Sequence, residues 1–213
     1  MANTKKSTAS PPAMRSNKRT RSKRNDRSLT YIIAGAAALF LLLVGLAVYS
    51  NIRQVIPIDG QESFNTQGNE HISNDTPNTF AYNSTPPTSG PHYGSLAPWG
   101  VYSEPQSYEY LVHNLEDGGV VIYYQCPDGC ADTVTALEKV VQPYLNGNRH
   151  VVLAPNDPSW VDASWQSQHK DMGALIALTA WGNLFKLDAV DEDRIRAFID
   201  KYEGIDHHTG VSG

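Results

Sequence analysis

Cysteine is scarce in this chain, two residues in 213, at Cys126 and Cys130. They suffice for one disulfide or one thiol pair and nothing larger. Also missing are a phosphate-binding glycine loop, a serine-hydrolase elbow and an HExxH helix. No catalytic signature names a reaction, so a binding role is expected ahead of an enzymatic one. Charged residues make up only 18% of the chain, and the basic ones are thin beyond residue 28. Nine of the 17 Lys/Arg lie in residues 1–28 against Asp26 alone, which leaves eight basic and 21 acidic residues for the rest. A basic tail therefore precedes a body of net charge −13.

The divider is the one long apolar run, Leu29–Tyr49, with 21 residues and no charge. At ~1.5 Å per residue it covers roughly 30 Å, the hydrocarbon thickness of a bilayer. A signal peptide has a shorter apolar region and a small-residue cleavage site, and no such site stands before Asn51. A retained membrane anchor is the expectation. The basic flank then places the N-terminus in the cytoplasm and the C-terminal domain outside it, at the cell membrane. That topology accounts for the basic run, so no nucleic acid partner is expected.

The expected organisation is a disordered basic tail (1–28), a transmembrane helix (29–49), an extracytoplasmic linker (50–79), a globular domain (80–204) and a flexible tail (205–213). The segment Pro86–Gly94, PPTSGPHYG, is too rich in proline and glycine for helix or central strand and reads as an ordered loop. In Leu111–Cys130, Asp117-Gly118 between apolar runs predicts a hairpin with Leu115 opposite Val120, His113 opposite Ile122 and Leu111 opposite Tyr124. Asp132 is read as the cap of a following helix whose end Pro143 limits. Strands are expected at 150–154, 175–181 and 184–187, and a last helix capped by Asp191. Strand, strand, helix, strand, strand, helix predicts an α+β (or α/β) domain. It has a small mixed sheet with helices packed on it, and a reduced thioredoxin-like topology fits that order.

PPTSGPHYG, Gly100-Val101-Tyr102, LVHNLEDGGVVIYY (Leu111–Tyr124) and LTAWG (Leu178–Gly182) together resemble the family of domain of unknown function 3105 (DUF3105). The resemblance covers roughly residues 80–203. It implies a bacterial, membrane-anchored protein and brings no established activity. In the family pattern the fourth residue after the histidine of HNLE is usually a second histidine; Asp117 stands there in this chain.

Two sets of residues carry candidate chemistry. His92 on the loop and His113, with Glu116 or Asp117, make a histidine–carboxylate set suited to copper or zinc. The competing reading is a buried neutral His113 that bonds a loop carbonyl, one from Pro86–Gly94 among the choices. Cys126 and Cys130 are the second set. Outside the cytoplasm they persist as a disulfide; at a helix N-terminus they are also placed to be reactive thiols. The loop resembles the copper-binding C-x₃-C of Sco-type assembly proteins, for which His150 or His169 would be the third ligand. Trp160, Trp165, His169 and Met172 are expected to pack their own loop against the body.

Overall fold

The computed structural model describes residues 27–55, 57–74, 76–77, 79–127, 129–162 and 167–208. Contacts divide the chain into two units, residues 1–48 and 49–213. The described part of the first is helical. Helix α1 (Arg27–Val55) contains Thr30–Tyr49, 20 residues long and apolar enough to cross a membrane.

The second unit is an α+β domain on a six-stranded mixed sheet. Its strands are β1 (Gln61–Ser63), β4 (Gly100–Val101), β5 (Val120–Tyr124), β6 (Val151–Pro155), β7 (Ile176–Ala180) and β8 (Asn183–Leu187). Their order is β1-β8-β7-β5-β6-β4. β5 and β6 run parallel, joined through helix α3 (Ala131–Asn146), as a parallel pair requires a crossover. β7 and β8 form an antiparallel hairpin beside β5, and helix α4 (Glu192–Tyr202) follows. The mixed sheet with helices packed on it is the α+β class expected from the sequence. β1 pairs with β8, so residues assigned to a linker in fact join the sheet.

Side chains alternate across the sheet with period two. Val120, Ile122, Leu153, Leu178 and Phe185 face α3 and α4, meeting Leu137, Val141, Ile195 and Phe198. Val121, Tyr123, Val152, Ala177 and Leu184 face the other way, onto Tyr108, Leu111, Leu115 and Met172. Burial on both faces is why β5 reads as an unbroken apolar run.

The second layer corrects the expected hairpin. Residues Tyr108–Glu116 form helix α2. The strand pairings of Leu115, His113 and Leu111 with β5 therefore do not exist. Four residues separate Leu111 from Leu115, a spacing that fits one helix face as well as one strand face. Asp117-Gly118-Gly119 ends the helix by a Schellman motif. Gly119 N–H donates to Asn114 O (2.8 Å), Gly118 N–H to Leu115 O (3.2 Å), and Gly118 takes φ +75°. The glycine that signals a hairpin turn thus serves as a helix stop. Gly119 cannot carry a side chain, since a Cβ there would lie 2.5 Å from the Trp99 ring and 2.6 Å from Asn114 O.

Two helix ends also differ from expectation. Cys130, not Asp132, is the N-cap of α3, and Asp132 sits in its first turn. Pro143 lies inside α3, which continues to Asn146. Asp191 caps α4 as expected, accepting from Arg194 N–H at 3.1 Å.

Candidate metal centre

Helical geometry puts His113 and Glu116 on one face of α2, because residues three apart are neighbours there. On a strand they would point to opposite faces. Tyr108, Leu111 and Leu115 occupy the face toward the sheet, leaving the imidazole and carboxylate toward the polypeptide that covers α2. That cover is a short parallel pair, β2 (His71–Ile72) and β3 (His92–Tyr93), with His71 opposite His92. The ordered loop holds the pair in place. Gly90 N–H donates to Gly68 O (3.0 Å), His92 N–H to Glu70 O (3.0 Å), and Tyr82 O–H to Pro91 O (2.6 Å).

Three imidazoles therefore converge on one carboxylate. Ring centroids lie 4.8 Å apart for His71–His92, 5.0 Å for His71–His113 and 5.2 Å for His92–His113. Glu116 Oε2 is 2.9 Å from His92 Nε2 and 3.1 Å from His71 Nε2, while Oε1 accepts from Asn69 Nδ2 at 2.7 Å. One donor atom from each of His71, His92, His113 and Glu116 lies within 4.8 Å of all the others. Atoms ~2.1 Å from a shared ion stand roughly 3.0 Å apart at right angles and ~3.4 Å apart at tetrahedral angles, the spacing seen around Oε2.

Protonation states sharpen this. His92 is fully buried, and burial holds its pKa below the ordinary histidine value, so the ring is neutral with one proton. Its Nδ1 lies 2.8 Å from Gly90 O, an acceptor only, and so carries that proton. Nε2 is left with a lone pair, aimed at a carboxylate oxygen 2.9 Å away. Burial raises the Glu116 pKa, but hydrogen bonds from Asn69 and His71 oppose it, and the net shift is downward. Glu116 is thus ionised. Two facing lone pairs repel unless a cation lies between them. His113 repeats the pattern: its Nδ1 donates to Tyr93 O at 2.8 Å, freeing Nε2. A ring N–H spent on a backbone carbonyl is the usual outer support of a metal-bound histidine.

Asp117, at the C-cap of α2, and His208, in the segment after α4, extend the cluster outward. His208 Nε2 is 3.4 Å from Asp117 Oδ1 and 3.5 Å from Glu116 Oε2; His113 Nε2 is 3.8 Å from Asp117 Oδ1. His113, Asp117 and His208 form a second group with donor atoms mutually within 4.8 Å.

The model of the protein-of-unknown-function family DUF3105 matches residues 71–211, which take in all six of these side chains. The chain belongs to the DUF3105 family. No curated protein and no solved structure matches it.

Within the DUF3105 domain, the structure unites His92, His113 and Glu116, places Asp117 at their rim, and adds His71 and His208. Both additions lie in stretches read as linker and loose tail. The pairing of β2 with β3 is a tertiary contact, and a two-residue strand has no periodicity to reveal it. A histidine three residues before a glutamate on a helix was the available signal, and the strand reading hid it. The carbonyl that His113 meets does belong to Pro86–Gly94.

Cys126 and Cys130 are joined as a disulfide at the N-terminus of α3. Among the described residues no potential metal group includes either sulfur. His150 stacks on Trp99 at 4.5 Å and bonds Asp117 O, and His169 bonds Gln106 O at 2.8 Å while stacking on Tyr108. Met172 is buried in the α2-side core and Trp160 lies against His169, so this loop packs on the body; Trp165 lies outside the described residues.

Proposed function

We propose that this DUF3105 protein is a single-pass, membrane-anchored, extracytoplasmic domain that binds one divalent transition ion, copper or zinc, through His71, His92, His113 and Glu116. The observation that carries the reading is the buried His92–Glu116 pair. Its imidazole donates its single N–H to Gly90 O, and its remaining lone pair faces an ionised carboxylate. A proton in that gap would charge a fully buried ring; a metal ion satisfies both groups and the two other imidazoles. Three nitrogens and one oxygen suit a borderline ion such as Zn²⁺ or Cu²⁺. With four protein ligands the centre resembles a closed structural or storage site more than a catalytic one, which supports a binding module over an enzyme.

The test is elemental analysis of purified full-length protein after loading with Zn²⁺ or Cu²⁺ and exhaustive dialysis. One equivalent is expected in the wild type and none in a His92→Ala, Glu116→Gln double variant. A wild type that keeps no ion refutes the reading.

A second reading makes the DUF3105 domain a thiol–disulfide exchanger, in which Cys126–Cys130 accepts two electrons from a partner protein's dithiol. The partner's disulfide forms as the two cysteines become thiols. The observation behind it is that Cys126 borders a cleft of about 690 Å³ with Tyr124, Pro155 and Asn156, and that Cys130 caps α3, where the helix dipole favours a thiolate. Replacing both cysteines by serine should abolish oxidation of a dithiol peptide while leaving metal uptake intact. A short ring of this kind contributes about 2 kcal/mol to stability, so the variant should still fold. Equal activity of variant and wild type would exclude exchange.

A further inference from the structure

The metal reading leaves one feature without a role: a second group of donors shares a member with the first. We infer that Asp117 and His208, together with His113, form an outer metal position through which the same Zn²⁺- or Cu²⁺-class ion enters and leaves the inner His71/His92/His113/Glu116 set. The inference rests on the proposed metal centre and adds its route of exchange.

His113 belongs to both groups. Its Nδ1 is committed to Tyr93 O, so it has a single lone pair, at Nε2. One lone pair holds one ion, and the two groups are therefore alternative positions rather than a two-ion centre. They differ in access. The side chains of His92 and Glu116 are 0% and 1% exposed, whereas those of His208 and Asp117 are 41% and 25% exposed. Of the inner set only His71, 46% exposed, reaches solvent, whereas both residues that the outer group adds to His113 are open to it. An ion passing from water to the buried set must shed its hydration shell, and a half-way position that replaces part of that shell lowers the barrier in both directions.

His208 is held ready for this. Its Nδ1 lies 2.9 Å from Asp206 Oδ1, and its backbone N–H donates to the same oxygen at 2.9 Å. A carboxylate on Nδ1 orients the imidazole so that Nε2 points at Asp117 and Glu116. The segment itself is latched to the C-terminal end of α2, whose last carbonyls lack helical partners. Gly204 N–H donates to Gly118 O (2.8 Å) and His207 N–H to Glu116 O (2.9 Å), while Trp181 stacks on His207 and also meets His92 edge-on. The backbone of Glu116 thus holds the segment that carries His208, and its side chain belongs to the inner set.

The experiment compares full-length wild type with His208→Ala and with Asp117→Asn in detergent. It measures uptake of Zn²⁺ or Cu²⁺ by stopped flow, release to a chelator, and metal content at equilibrium. Each variant is expected to load and release at least about tenfold more slowly, both rates falling together, while still holding one equivalent. Unchanged rates would overturn the inference. So would faster release at unchanged loading, which makes His208 a ligand of the inner ion, and so would two equivalents bound at once by the wild type. A wild type that binds no ion instead removes the underlying metal reading, a result distinct from these three.

Discussion

Asn69 acts on the centre without belonging to the candidate ligand set. Its amide donates to Glu116 Oε1 at 2.7 Å, fixing the carboxylate so that Oε2 faces the imidazoles. Outer-shell groups of this kind govern metal affinity by about 10–100-fold. Asn69→Ala should weaken binding by that factor in a chelator competition, with stoichiometry still at one; an unaltered affinity would mean that Glu116 is positioned by the histidines alone. His169 shows the opposite use of an imidazole. Its Nε2 donates to Gln106 O and its Nδ1 accepts from Asp157 N–H, so the neutral ring is satisfied at both nitrogens. Burial holds its pKa below the ordinary 6.5. Between those two values the unfolded chain binds the extra proton and the folded one does not, so stability is full above the ordinary value and declines as pH falls below it. His169→Gln should therefore cost more stability at pH ~7.5 than at pH ~5 in denaturant melts. A penalty that grows toward acid would mean that the ring is charged in the fold.

At the scale of elements, α2 joins the core to the centre. Its inner face buries Leu111 and Leu115 completely, and its outer face carries His113 and Glu116. Leu115→Ala should cost about 2–5 kcal/mol in urea or guanidinium unfolding, the usual range for removing a fully buried leucine side chain. Metal should recover part of that loss, because an ion that binds only the folded state stabilises it in proportion to the logarithm of its concentration. Equal melting curves for variant and wild type would mean that Leu115 does not pack in the core. The same helix explains why the strand expectation failed. A nine-residue segment followed by Asp-Gly-Gly satisfies both the hairpin and the Schellman signal. The choice falls to the sheet, whose exposed face needs a helix with apolar residues four apart.

For the whole molecule, the proposed anchor sets where the centre works. The nine-to-one excess of basic over acidic residues before Leu29 favours a cytoplasmic N-terminus. Cysteine probes introduced near Ser7 and near Gly213, on a background with Cys126 and Cys130 replaced, should react with an impermeant reagent only at the C-terminal position. Labelling only near Ser7 would reverse the topology and place the domain in the cytoplasm. A reducing cytosol would also make the Cys126–Cys130 bond hard to maintain.

Some of this was legible in the chain alone. A 21-residue uncharged run, the apolar strands VVIYY and IALTA, and the Asp191 cap are local signals, because the physics that reads them acts within one segment. They determined the long apolar helix, the mixed sheet and the last helix. His92, His113 and Glu116 stood out because imidazoles and a carboxylate lay close to rigid or apolar sequence. What folding alone decided was their company. His71 sits 21 residues before His92 in a stretch without periodicity, and His208 lies 92 residues after Glu116 in a polar tail. The first arrives through two parallel strand pairings and the second through backbone bonds to the end of α2. Whether a histidine faces a carbonyl, a carboxylate or water depends on which backbone groups its neighbours leave unpaired, and those are set only when distant segments meet.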